Sequence, residues 1–140
     1  MMTTSITREY RWEMGHALWF HQGKCYHPHG HNYRMEVEVS GPVDERTGMV
    51  MDFGKLDEVV APEIAEHDHQ FAMNSADERH HGGALHPDFG ILEMRYEPTA
   101  ENLAMRFFNF IEGRLEPGSL TLERITLYET DRASATVRRS

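Results

Sequence analysis

The sequence predicts an α+β fold: one antiparallel sheet in the order ββααββ with two helices on one of its faces. Three observations carry this. Over residues 31–40, Tyr33, Met35, Val37 and Val39 face one way and Asn32, Arg34, Glu36 and Glu38 the other, the period of a half-buried strand. Leu103, Phe107, Phe110 and Ile111 recur instead at helical spacing. A 39% hydrophobic fraction with 11 glycines in 140 residues is ordinary for a chain that buries a core. This length reads as a single domain over residues 1–140.

From the N-terminus, residues 5–14 alternate Ile6, Tyr10, Trp12 and Met14 with Arg11 and Glu13, and Arg8 breaks the pattern once; this is the first strand. The 16-residue connection Gly15–Gly30 holds Cys25 and four of the ten histidines, a length that points to a functional loop. After the strand over 31–40 come the turn-rich GPVDERTG and a short apolar piece, Met49–Met51. Leu56, Val59, Val60 and Ile64 then mark a helix, in which Pro62 is expected to introduce a kink or a restart. Residues 74–97, rich in Gly, Asp and His, read mostly as an exposed loop with 91–96 as a short extended piece. Pro98-Thr99 opens the second helix with Thr99 as N-cap, and Gly113 with Pro117-Gly118 ends it. Residues 119–130 and 133–138 are the last two strands, and the slip of apolar phase from Leu120 and Leu122 to Ile125 and Leu127 predicts a bulge near Glu123. An open antiparallel sheet offers two edges for pairing, so a homo-oligomer is expected.

Charge narrows the function classes. Lys and Arg number 14 against 23 Asp and Glu, a balance of −9 that disfavours nucleic acid and anionic membranes as partners and leaves small molecules and proteins. No apolar stretch is long enough to span a bilayer, and the N-terminus lacks the apolar core of a signal peptide. A cytoplasmic, reduced protein with Cys25 as a free thiol is expected.

All ten histidines fall between His16 and His86. His29 and His31, at i and i+2 on one strand, project from the same face, and His16 at the end of the preceding strand comes near them if the two strands pair. Three imidazoles with a fourth tetrahedral position open describe catalytic zinc, although an isolated His-x-His also arises by chance. Cys25 has three readings: a small buried residue, a thiolate favoured by Lys24 and a nearby cation, or a fourth ligand that closes the site. Asp68-His69 is a carboxylate–imidazole unit suited to acid–base work, or a surface pair. Glu129, in the run ITLYET, is either a buried carboxylate in need of a partner or a solvent-facing residue.

Taken in order, CYHPHGHNY, TGMVMDFGKL, HDHQFAMN, EPTAENLA and LYET resemble the 6-pyruvoyltetrahydropterin synthase family, from about Tyr10 to the C-terminal strand. The short spacing from Cys25 to His29 and His31 is similar to that of the branch that makes 6-carboxy-5,6,7,8-tetrahydropterin for queuosine. The resemblance implies a T-fold of two strands, two helices and two strands, closed into a barrel by oligomerisation as a hexamer or tetramer with sites at subunit interfaces. It implies Zn2+ on His16, His29 and His31, catalytic roles for Cys25, Asp68 and His69, and pterin binding by Glu129 and Thr99. The implied reaction is a lyase reaction on 7,8-dihydroneopterin triphosphate that releases acetaldehyde and triphosphate. Alternatives are pyruvoyl-type triphosphate elimination, action on a related pterin in secondary metabolism, and a non-catalytic zinc- or pterin-binding oligomer. Departures from the family pattern are Met14-Gly15, His67, Ala72-Met73 and a longer segment over 78–89 with His80, His81 and His86. Lys24, Arg95 and Arg106 are the candidate cations for the triphosphate.

Overall fold

A computed structural model describes residues 2–81 and 89–140. Strands β1 (Thr4–His16) and β2 (His29–Gly41) pair antiparallel along their whole length, from Thr4 opposite Gly41 to His16 opposite His29. Helix α1 (Phe53–His67), strand β3 (Phe71–Asn74), the short helix α2 (Glu78–His81) and strand β4 (Ile91–Met94) follow. Helix α3 (Ala100–Glu112) and the strands β5 (Thr121–Thr130) and β6 (Ala133–Arg138) complete the order. Across the sheet the strands run β4-β3-β1-β2-β5-β6.

The expected strands and both helices are present, but the sheet is mixed rather than wholly antiparallel. β3 pairs parallel with β1 through Gly15 and His16, and β4 pairs parallel with β3. The reason is the unpaired edge of β1: the chain leaving α1 has backbone groups to satisfy, and Gly15 N–H meets the Gln70 carbonyl at 3.0 Å. Glycine at that point lets the Phe71 ring approach, since a β-carbon on residue 15 would stand 2.7 Å from it. The extended piece expected over 91–96 is strand β4, whereas the rest of the segment expected as an exposed loop buries Asn74 and Asp77, each with polar partners. Its His86 lies outside the described residues, as do the side chains of His80 and His81.

One face of the sheet forms the core. Trp12 and Met14 of β1, Tyr33, Met35, Val37 and Val39 of β2 and Leu122, Ile125 and Leu127 of β5 pack on Leu56 and Val60 of α1 and on Leu103, Phe107 and Ile111 of α3. Arg8, the break in the alternation, stays on this side because Asp57 of α1 takes its guanidinium at 3.1 and 3.2 Å and the Tyr10 hydroxyl at 2.8 Å. Asp52 caps α1 by accepting from Gly54 N–H at 2.7 Å. The helix runs through Pro62 without the restart expected as one outcome; Pro62 lies on the exposed side, where water can satisfy the carbonyl that its missing N–H leaves free. The buried row of α1 is Leu56, Val60, Glu63 and His67. Arg106 of α3 reaches Glu63 at 2.9 Å and Glu66 at 3.3 Å, so within this chain that candidate cation is paired with two carboxylates of α1.

Two bulges shape β5. Glu38 faces Arg124 but Val39 faces Leu122, which leaves Glu123 as the surplus residue where the apolar phase slips. Against β6, Tyr128 faces Ser134 and Thr130 faces Ala133, which makes Glu129 surplus as well. Among the described residues no helix is long and apolar enough to cross a membrane.

Candidate active site

His16, His29 and His31 converge because β1 and β2 end together. His16 lies opposite His29 and Met14 opposite His31, so the register puts all three imidazoles on the core face at one end of the sheet. Their ligand atoms all lie within 4.8 Å of one another. His16 is 1% exposed, and its Nδ1–H donates to the Pro98 carbonyl at 2.8 Å. His29 Nδ1–H donates to the His27 carbonyl at 2.7 Å. A carbonyl can only accept, so both protons reside on Nδ1 and the two Nε2 lone pairs face each other at 3.0 Å. Burial, before any other cause, lowers the His16 pKa to about 4 and also lowers that of His31. His31 Nε2 is buried without a hydrogen-bond partner. Rings oriented from behind by carbonyls, with lone pairs turned inward, are what a divalent metal requires. The donor set, three imidazole nitrogens and no further protein ligand in the cluster, suits zinc with an open position. Cys25 is not a member of that group of ligand atoms.

Glu129 borders the triad: its carboxylate is 3.9 Å from His31 Nε2 and accepts from the Ala100 backbone N–H at the start of α3. Burial pushes its pKa up. The bulge turns this residue out of the β5–β6 ladder, so its direction is set by α3 and not by strand pairing. Thr99 caps α3, as expected, by accepting from Asn102 N–H at 3.2 Å, and stands next to the Pro98 carbonyl that orients His16. Tyr33 closes the floor, its hydroxyl 3.4 Å from His16 Nδ1.

Asp68 and His69 lie elsewhere. Glu13 sits between Trp12 and Met14 in the alternation, so its side chain leaves β1 on the face opposite the triad, and His69 Nε2 is 3.5 Å from its carboxylate. His69 Nδ1–H donates to Asp68 Oδ1 at 2.8 Å, and the same oxygen accepts from Glu13 N–H at 3.1 Å. The His69 backbone is left-handed, φ 62°, a conformation seldom taken by a residue with a β-carbon and anchored here by His69 N–H to the Glu13 carbonyl at 2.7 Å. Facing Gly15 and Gly30 leave the sheet bare beside it, in an open groove of about 380 Å³ that Glu13, His31, His69 and Gln70 also line.

The family described as 6-pyruvoyl tetrahydropterin synthase matches residues 5–140. The chain belongs to this family. Among curated relatives, the 6-carboxy-5,6,7,8-tetrahydropterin synthase of Rickettsia felis is 34% identical over 128 residues, 89% of this chain and 92% of that protein. The enzyme of the same name from Haemophilus influenzae is 32% identical over 135 residues, again with 89% and 92% covered. Among solved structures, an uncharacterized protein from Wolinella succinogenes superposes with a TM-score of 0.86 at 20% identity, covering 100% of both chains. The 6-pyruvoyl tetrahydropterin synthase of Caenorhabditis elegans gives a TM-score of 0.73 at 24% identity, with 100% and 98% covered. The fold is thus that of the 6-pyruvoyl tetrahydropterin synthases.

Within one chain of this family member, the structure brings His16, His29, His31, Glu129 and Thr99 to one end of the core face and holds Asp68 and His69 on the other face. Sequence reasoning missed the Pro98 and His27 carbonyls, which are invisible to residue-type patterns. It also missed Glu97, which accepts from Trp19 N–H at 3.1 Å and from the Asn74 side chain at 2.8 Å.

Proposed function

We propose that this chain is a zinc-dependent lyase that converts 7,8-dihydroneopterin triphosphate to 6-carboxy-5,6,7,8-tetrahydropterin, releasing acetaldehyde and triphosphate, as a cytoplasmic homo-oligomer on the route to queuosine. The observation that carries this reading is the convergence of three imidazoles beside the Glu129 carboxylate, in a chain of this family. Zinc on His16, His29 and His31 supplies a Lewis acid for oxygens of the substrate side chain.

The other groups act on the substrate directly. The two oxygens of Glu129 accept from the pterin 2-amino group and ring N–H, and two donors meeting a half-buried carboxylate stabilise its ionised form. Thr99, at the start of α3 beside that carboxylate, lies against the pterin. Cys25 as thiolate takes a proton from the side chain, and His69, held by Asp68, moves hydroxyl protons before a retro-aldol-like cleavage. Asp68 and His69 face away from the metal ligands of their own chain, so they serve the site of a neighbouring copy. An exposed acid–base pair on one face and an incomplete metal site on the other support that reading.

Mass analysis of the products from 7,8-dihydroneopterin triphosphate, with and without zinc, tests the proposal. Acetaldehyde with the carboxy product supports it; the pyruvoyl product assigns the other chemistry of the family; no turnover in a zinc-loaded protein overturns it.

A further inference from the structure

We propose that Arg79, at the head of the 78–89 segment, is a positioning residue for the Cys25 thiol. The inference rests on the reading of Cys25 given above. Residues 17–28 have little structure of their own: a single 3₁₀ turn, Lys24–Tyr26, holds the cysteine. Contacts from outside add to the few bonds within the loop. Arg79 Nη1 donates to the Tyr26 carbonyl at 2.6 Å, immediately after Cys25, and the guanidinium lies 4.1 Å from the Tyr26 ring centroid and 5.3 Å from that of Trp19. Those two rings stack on each other at 5.8 Å. Leu18 N–H donates to the Cys25 carbonyl at 2.9 Å, which ties the front of the loop to the same turn.

Arg79 is itself fixed. Asp77, 0% exposed, takes Nε at 2.9 Å and Nη2 at 2.7 Å, and also accepts from the Arg79 backbone N–H at 2.9 Å. A buried carboxylate holding both arms of the fork leaves the third nitrogen aimed at one carbonyl, a geometry that lysine cannot reproduce. The guanidinium is therefore committed to the loop. Its neighbours are aromatic faces and a backbone oxygen, and its position sets where the Cys25 backbone sits relative to the metal ligands that begin at His29.

Cys25 is the sole cysteine, so alkylation by iodoacetamide reports on it alone. Arg79→Lys keeps the charge and removes the fork and the stacking. In zinc-loaded protein, alkylation followed from pH 6 to pH 10 is expected to change in rate by at least about threefold in the variant, with a displaced pH midpoint. Turnover is expected to drop about tenfold or more in kcat with KM within about threefold, because a displaced nucleophile or base affects chemistry more than binding. Zinc content stays at the wild-type value. Added methylguanidinium is expected to restore part of the alkylation profile in Arg79→Ala; if that variant does not fold, Arg79→Lys carries the test alone. An unchanged alkylation profile in Arg79→Lys overturns the proposal, as does a change that appears only together with loss of zinc. Alkylation needs no turnover, so an inactive wild-type enzyme would overturn the proposed reaction and leave this test intact.

Discussion

His69 Nε2 stands 3.5 Å from the Glu13 carboxylate, on the side of β1 away from His16 and His31. If Asp68 and His69 act on a substrate bound at another copy's histidines, two inactive variants complement each other. Cys25→Ala and His69→Ala are each expected to be inactive alone. Subunits mixed by unfolding and refolding together are expected to recover about a quarter of wild-type activity, the share of sites that draw an intact residue from each side. No recovery in verified mixed oligomers would place all the chemistry within one chain.

The inward lone pairs of His16 and His29 predict tight metal binding with a clear stability signature. Zinc at about 100 times its dissociation constant is expected to stabilise the fold by about 2.7 kcal/mol, read as a rise in melting temperature that a chelator reverses. His31→Ala is expected to abolish that rise and to lower bound zinc, measured by elemental analysis, while melting near the temperature of the metal-free wild type.

Replacing Glu129 with Gln tests the pterin contact. The amide offers one acceptor and one donor where the carboxylate offers two acceptors, so one pterin N–H is left facing a donor. A mismatch of this kind costs about 1–3 kcal/mol, or roughly 5- to 150-fold in kcat/KM, with zinc content unchanged. A variant with wild-type kcat/KM would remove Glu129 from the pterin site.

His67 makes a prediction about stability and pH. It is 0% exposed, packs its ring at a tilt against that of Phe107 with centroids 4.7 Å apart and donates Nδ1–H to the Glu63 carbonyl at 2.7 Å. Burial lowers its pKa from 6.5 to about 4, so the unfolded chain binds this proton more readily than the folded one. The neutral ring's contribution is fully present above pH 6.5 and is lost as pH falls from 6.5 through 4. His67→Leu keeps the packing and removes the titration. Its melting temperature relative to wild type is expected to rise steadily between pH 7 and pH 4.5, and a constant difference across that range would contradict the assignment.

The fold was legible where burial follows residue type. β2 could be read because Tyr33, Met35, Val37 and Val39, its buried residues at alternating positions, are apolar, and the bulge at Glu123 because it shifts an apolar phase. β4 was read as an extended piece over 91–96 but its place in the sheet was not, and β3 was missed, since a four-residue strand carries too few alternations and the parallel partners of both are distant in sequence. In α1 the spacing 56, 60, 63, 67 runs along one helical face, but Glu63 and His67 disguise it by being polar, and only Arg106 and Phe107 from α3 explain how they can be buried there. The histidine triad followed from strand register, which sequence can anticipate. The opposite placement of Asp68 and His69 depends on how α1 ends against Glu13, a contact across 55 residues that local pattern does not encode.

The surplus position of Glu129 separates two demands that strands usually combine. A side chain within a regular ladder cannot be removed or re-aimed without disturbing the pairing around it, whereas this residue lies outside the β5–β6 register. Deleting it alone would bring Tyr128 and Thr130 together opposite Ser134 and Ala133, restoring a continuous ladder. Descendants of such a chain can thus discard or exchange the carboxylate beside the histidine triad in one genetic step and keep a sound sheet.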